Sequence, residues 1–226
     1  VTNEDLINSD FDEIILATGI QPRVLKIEGI EHQKVLSYLD VLKFKKPVGK
    51  RVAVIGAGGI GFDVSEYLSH DGAAASQNID TWLKEWGIDK SLEARSGIEN
   101  VKTEFHPSPR EIFMFKRSKG KFGGNLGKTT GWIHRSTLKK KKVQFIGDVR
   151  YSKIDDKGLH YIQNEETKIL EVDTIVICAG QTPFKELHQP LINAGKTVHV
   201  IGGADFASEL DAKRAINQGA RLAARL

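Results

Sequence analysis

Residues 51–61 constrain this chain more than any other stretch: the apolar run Val52-Ala53-Val54-Ile55 ends in Gly56-x-Gly58-x-x-Gly61, and an amphipathic segment follows at once. Phe62, Val64, Tyr67 and Leu68 share one helical face in that segment, so the pattern is strand, glycine turn, helix. The first glycine permits a tight turn, the second lets main chain approach a diphosphate, and the third lets helix pack closely on strand. Gly56, Ala57, Gly58, Gly59, Ile60 and Gly61 are therefore candidate dinucleotide-binding residues. Their amides and the positive helix end would hold an anion without any side chain. A tight turn without a ligand is the competing reading.

Two further strand-sized apolar runs, at 13–17 and 174–179, also end in glycine. Short, near-continuous Ile/Val runs suit strands buried on both faces of a parallel sheet. The expected class is α/β: a doubly wound, Rossmann-like parallel sheet. Further strands are expected at 111–116, 143–146 and 198–201, with helices around 133–138 and 209–226. In the last of these, Leu210, Ala212, Ile216 and Leu222 are available to pack. Residues 151–172 alternate in polarity and break at 155–158 and 164–166, as a small antiparallel meander does. Residues 71–109 are too long for an ordinary loop and need packing of their own. Ser76 is the expected N-cap of a short helix there, with Trp82 and Trp86 packing the insertion and Gly87 stopping it.

Nucleotide choice is read at the end of the strand after the glycine turn, where a carboxylate would accept from the 2′-hydroxyl of NAD. Here that strand, residues 111–116, runs into Lys116-Arg117, with Lys119 and Lys121 following. Arg117 can clamp a 2′-phosphate and the lysines add point charges, so NADPH is expected over NADH. The alternative is that these are exposed bystanders. Gly127-Lys128-Thr129 lacks the upstream glycine of a P-loop, since position 122 is Phe122. Lys128, Thr129, Thr130 and Arg135 remain candidates for a loop beside the nucleotide.

With 40% hydrophobic residues the 226-residue chain can build one large or two small cores, and it contains no apolar run near the ~18 residues of a membrane span. Cys178 is the only cysteine, which excludes an intrachain disulfide and suits a reducing cytoplasm; it is expected to be a buried, inert thiol. The seven histidines show no metal-ligand spacing, so no metal site is expected. The net charge is +4, and Lys139-Lys140-Lys141-Lys142 supplies much of it; a solvated element end is expected there rather than a nucleic-acid footprint. The first ten residues lack a signal-peptide layout, and a start at Val1 reads as a piece of something longer.

Ala17-Thr18-Gly19, Cys178-Ala179-Gly180 and Gly203-Ala204-Asp205 resemble motifs of two-dinucleotide flavoproteins. The resemblance implies that the first two mark crossings between FAD- and NADPH-binding domains. It also implies that Thr18, Gly19, Ala179, Gly180, Gly203 and Asp205 lie near the flavin, with Leu210 and Asp211 opening a helix aimed at its ring. Residues 35–42, 127–135 and 209–212 are similar to the C-terminal part of the bacterial NADPH-dependent 2,4-dienoyl-CoA reductase family. That family implies hydride transfer from NADPH to FAD, and onward transfer through 4Fe–4S and FMN to a dienoyl thioester in fatty acid β-oxidation. Its TIM barrel, cluster cysteines and first FAD glycine fingerprint are expected upstream of Val1, so the barrel portion is the implied partner and FAD binding by this chain is expected to be weak. The implied layout is a partial FAD domain at 1–47 and 179–226 around an NADPH domain at 48–178. A related amine-demethylating flavoenzyme and a non-catalytic nucleotide-binding fragment are the alternatives.

Overall fold

The computed structural model describes residues 1–207 and 212–226. Along the chain run α1 (Asn3–Ile7), β1 (Glu13–Leu16), β2 (Ile20–Pro22), β3 (Val35–Ser37), α2 (Tyr38–Leu42), β4 (Arg51–Ile55) and α3 (Gly59–Leu68). Then come α4 (Ile79–Trp86), β5 (Glu111–Lys116), α5 (Gly131–Lys140), β6 (Gln144–Gly147), β7 (Arg150–Asp155), β8 (Gly158–Gln163) and β9 (Glu166–Leu170). The chain closes with β10 (Thr174–Ile177), β11 (Gln181–Pro183), α6 (His188–Asn193), β12 (Thr197–Val200) and α7 (Ala212–Ala223). Two compact units result: residues 25–179, and the two terminal segments 1–24 and 180–226.

The larger unit is a five-stranded sheet in the order β3-β10-β4-β5-β6, with every pairing parallel. Alternate side chains of β4 part to opposite faces, as the period of two dictates. Val52 and Val54 join Phe62, Val64, Leu68 and Leu138 under the helices, whereas Ala53 and Ile55 join Phe115, Leu159 and Tyr161 under the meander. The α/β class and the antiparallel meander β7-β8-β9 are thus as expected, and the meander occupies the face that a second helical layer would otherwise cover. Phe62 and Phe115 are fully buried, each stabilising by roughly 1.5–3 kcal/mol. Ser37 opens α2 in a capping box: its hydroxyl accepts from the Asp40 amide at 3.1 Å while Asp40 accepts from the Ser37 amide at 2.8 Å. Because β3 pairs with β10, residues 25–47 belong with the larger unit, and the division falls at 24/25 and 179/180 instead of 47/48 and 178/179.

The insertion packs as anticipated, with two differences. Asn78, not Ser76, caps α4, accepting from the Thr81 amide at 3.0 Å, because Ser76 is consumed in a 3-10 turn. The lysine run is not uniformly solvated. Lys141 is 4% exposed and its Nζ donates to the His106 carbonyl at 2.7 Å. Lys140 lies 4.8 Å from the Trp86 ring and 4.3 Å from that of Phe105, which meet edge to face at 5.6 Å. Aliphatic lysine stems cover the insertion's aromatics, and cation–π attraction holds them there.

The smaller unit pairs β1 with β12 in parallel and β2 with β11 antiparallel. Ile14, Leu16 and Leu191 form its core, closed by Leu6, Ile7 and Leu187. Residues from α1 and α6 fill that core; of the α7 residues expected to pack, Ala212 and Ile216 are exposed, the latter at 68%, and Leu222 is half-buried. Leu210 lies outside the described residues.

Candidate functional site

The order of the larger sheet reverses at β4: the chain steps outward through β5 and β6 on one side, while β10 and β3 lie on the other. Ligands of open α/β sheets collect at such a switch point, beyond the carboxyl ends of the strands. The glycine turn stands there. Gly56 has φ +123°, and a Cβ on it would meet the Cys178 main chain at 2.7 Å, so only glycine lets β4 leave the sheet this close to β10. Its own amide donates to the Phe115 carbonyl at 3.1 Å and is spent on the fold.

The next residues are differently placed. Gly58 precedes α3, and the first helical bond runs from the Phe62 amide to the Gly58 carbonyl at 3.1 Å. The amides of Gly59, Ile60 and Gly61 therefore have no acceptor within the helix and point out of its positive end. A Cβ built on Gly58 or Gly59 meets nothing within 4 Å. Donors without partners, beside two positions free of side-chain obstruction, form a cradle that a diphosphate fits. Ala57 and Ile60 instead pack against the helical core.

One strand over, β5 ends in cations that play unequal parts. Arg117 and Lys121 are exposed. Lys116 is committed: its Nζ donates to the carbonyls of Lys119 at 3.2 Å and Lys121 at 2.9 Å. It folds the turn that carries the others, a role that residue type alone does not reveal. Lys119 pairs with Asp148 at 3.4 Å. Burial pushes the Tyr151 phenol up, and the nearby Arg117 charge opposes that shift. Lys128, Thr129 and Thr130 are exposed, whereas Arg135 donates to the Gly123 carbonyl at 3.1 Å and braces the glycine-rich loop. Cys178 is 7% exposed, and its thiol is pushed up by burial first and by Asp63 second. Ala179 packs in the core on the meander side.

In the smaller unit, Thr18 donates its hydroxyl to the Phe184 carbonyl, and the Phe184 amide donates to Gly19 at 3.0 Å. Gly19 and Gly180 have φ of +79° and +85°; a Cβ on Gly180 would press the Arg23 guanidinium at 3.1 Å. Arg23, which the sequence did not single out, donates to the Gln181 carbonyl at 3.2 Å. The turn at Gly203 and Asp205 is tied by Gln218: its Nε2 donates to the Asp205 carboxylate and its Oε1 accepts from the Gly202 amide, both at 2.8 Å. Asp211, like Leu210, lies outside the described residues. Among the described residues no group of three or more His, Cys, Asp or Glu side chains converges on a point, and no helix is long and apolar enough to cross a membrane.

The sequence profile of a family described as pyridine nucleotide-disulphide oxidoreductase matches residues 2–204. A metal reductase of Desulforamulus reducens is 24% identical over 195 residues, covering 86% of this chain and 28% of that protein. A cinnamate reductase of Clostridium sporogenes is 26% identical over 205 residues, covering 90% and 25%. Among solved structures, a 2-naphthoyl-CoA reductase complex superposes with a TM-score of 0.71 at 20% identity, covering 97% of this chain and 27% of its own. Histamine dehydrogenase from a Rhizobium species gives 0.69 at 17%, covering 100% and 32%. The chain spans about a quarter of the length of these curated relatives.

Proposed function

We propose, from the premise that this chain belongs to the pyridine nucleotide-disulphide oxidoreductase family, that its larger unit is the NADPH-oxidising module of a cytoplasmic flavoprotein reductase. The cradle of unbonded amides at Gly59, Ile60 and Gly61 carries this reading. When bound, the reduced nucleotide supplies a hydride, for which FAD is the acceptor. The chain's own part is to bind and orient. The α3 amides hold the diphosphate, Gly58 and Gly59 keep its approach free of side chains, and Arg117 with Lys121 meets a 2′-phosphate that Lys116 positions them to reach.

In the finer reading, the longer protein delivers those electrons by way of 4Fe–4S and FMN to a 2,4-dienoyl-CoA. It follows from the resemblance in residues 35–42, 127–135 and 209–212. It is supported by relatives named for conjugated unsaturated acids and thioesters, the cinnamate and 2-naphthoyl-CoA reductases. Thr18, Gly19, Gly180, Gly203 and Asp205 would contribute to the FAD side, with the barrel portion as partner. A second reading, an amine-oxidising relative with a vestigial nucleotide site, is supported by the likeness to histamine dehydrogenase.

Side-by-side titration with NADPH and NADH separates the two. Saturable binding that prefers NADPH by tenfold or more is the expected result, and binding of neither would favour the vestigial site. Bleaching of added FAD by NADPH then distinguishes a catalytic module from one that only binds.

A further inference from the structure

We propose that the open cavity bordered by α2, α4, α5, the C-terminal half of α3 and the chain that follows it is a second ligand site, built to take an organic cation with a flat apolar body. It measures about 900 Å³, within the range of small-molecule sites. It sits at the opposite end of α3 from the glycine turn, about 13 Å along the helix at 1.5 Å per residue. The insertion supplies much of its wall.

The aromatic lining is Tyr67, Trp82, Trp86 and Phe105. Such rings offer apolar area and a negative face to a cation. The charges that line the cavity decide the sign of the ligand. Lys45 lies 4.4 Å from the Tyr67 ring centre, Lys46 pairs with Asp40 at 2.7 Å, and Arg110 donates through Nη1 to the Leu68 carbonyl at 3.1 Å, while its Nε is buried without a partner among the described residues and out of reach of a ligand in the cavity. Glu66 is taken by His134 at 3.0 Å. Glu85 is not taken. It is 5% exposed, lines the cavity, and has neither a hydrogen bond nor an ion pair with any described residue.

Lys141 and His70 stand near enough to feel its charge, but the Lys141 ammonium is turned to the His106 carbonyl. The Glu85 carboxylate has no cation bonded to it among the described residues, and an ammonium entering from the cavity would supply one. The last carbonyls of α3, at the negative end of the helix dipole, favour the same sign. Asp71 at the wall adds a further negative charge.

The test uses the full chain and three matched probes: 2-phenylethylammonium, neutral 2-phenylethanol and phenylacetate, followed by quenching of tryptophan fluorescence. The ammonium probe is expected to bind saturably and at least tenfold more tightly than the alcohol, with phenylacetate weaker still. Glu85→Gln, which keeps the shape, is expected to lose at least tenfold for the ammonium and nothing for the alcohol. NADPH binding by the same variant reports that the unit is folded and is expected to be unchanged. Absence of saturation by the ammonium, equal affinity for all three probes, or undiminished ammonium binding by Glu85→Gln would each overturn the assignment. Should Glu85→Gln fail to fold, the ordering of the three probes on the unaltered chain decides alone.

Discussion

A methyl group placed on Gly61 would sit 1.9 Å from the carbonyl oxygen of Gly56, so the two ends of the glycine turn touch with no room for a side chain. Gly58, between them, faces open space and has φ −87° with extended ψ, a conformation any residue adopts. The three glycines of one motif therefore have separable duties.

Gly61→Ala is expected to destabilise the larger unit by about 2 kcal/mol or more, visible as a lowered thermal midpoint. Gly58→Ala should leave that midpoint within a degree or two and weaken NADPH binding at least tenfold, because its methyl group enters the diphosphate path. Equal thermal losses in both variants would show that the turn is structural only.

Arg117→Ala should weaken NADPH by roughly 1.5–3 kcal/mol, about tenfold or more, and leave NADH almost unchanged. Lys116→Met acts through main chain, by releasing the carbonyls of Lys119 and Lys121, and should give a smaller loss for NADPH alone. Parallel fluorescence titrations with the two nucleotides check both, and equal losses for NADPH and NADH would refute the role given to this turn.

Burial holds the Cys178 thiol in its neutral form, and the nearby Asp63 charge acts in the same direction. In the folded chain it should resist 5,5′-dithiobis(2-nitrobenzoate) at pH 8 and react fully once denaturant is added. Rapid labelling of the native protein would contradict its placement in the core.

Asp40 accepts from Lys46 and Ser37, which together lower its carboxyl from the usual 3.8 to about 2. A depressed folded-state value contributes stability that is complete above about pH 4 and is lost as pH falls through about 2. Its contribution is on the order of 1 kcal/mol, since solvent screens a partly exposed pair. Acid unfolding followed by circular dichroism should show Asp40→Asn less stable than the parent at pH 6, with the two converging near pH 2.

Much of the site was written locally. The strand at 51–55, the glycine turn and the helix beginning at Gly59 lie within one stretch of 18 residues, and their pattern needs no distant partner to be recognised. The cations after β5 were equally visible, but not that Lys116 bonds the carbonyls of its own turn while Arg117 stays exposed. Ser76 reads from the sequence as the cap of α4 because Ser and Asn are similar capping residues, and only the backbone shows which one stands outside the helix.

The sequence alone determined the strands β4, β5 and β10, the helix α3 and where the main chain can approach an anion, because each depends on neighbours a few residues away; that Cys178 has no disulfide partner within the chain follows from its being the one cysteine. The tertiary structure alone decided that a meander covers the second face of the sheet and that Lys141 is buried. It also placed the unpartnered Glu85 in a cavity with Tyr67 and Phe105. Those outcomes depend on segments far apart in the chain competing for the same apolar surface, and no local pattern records which of them wins.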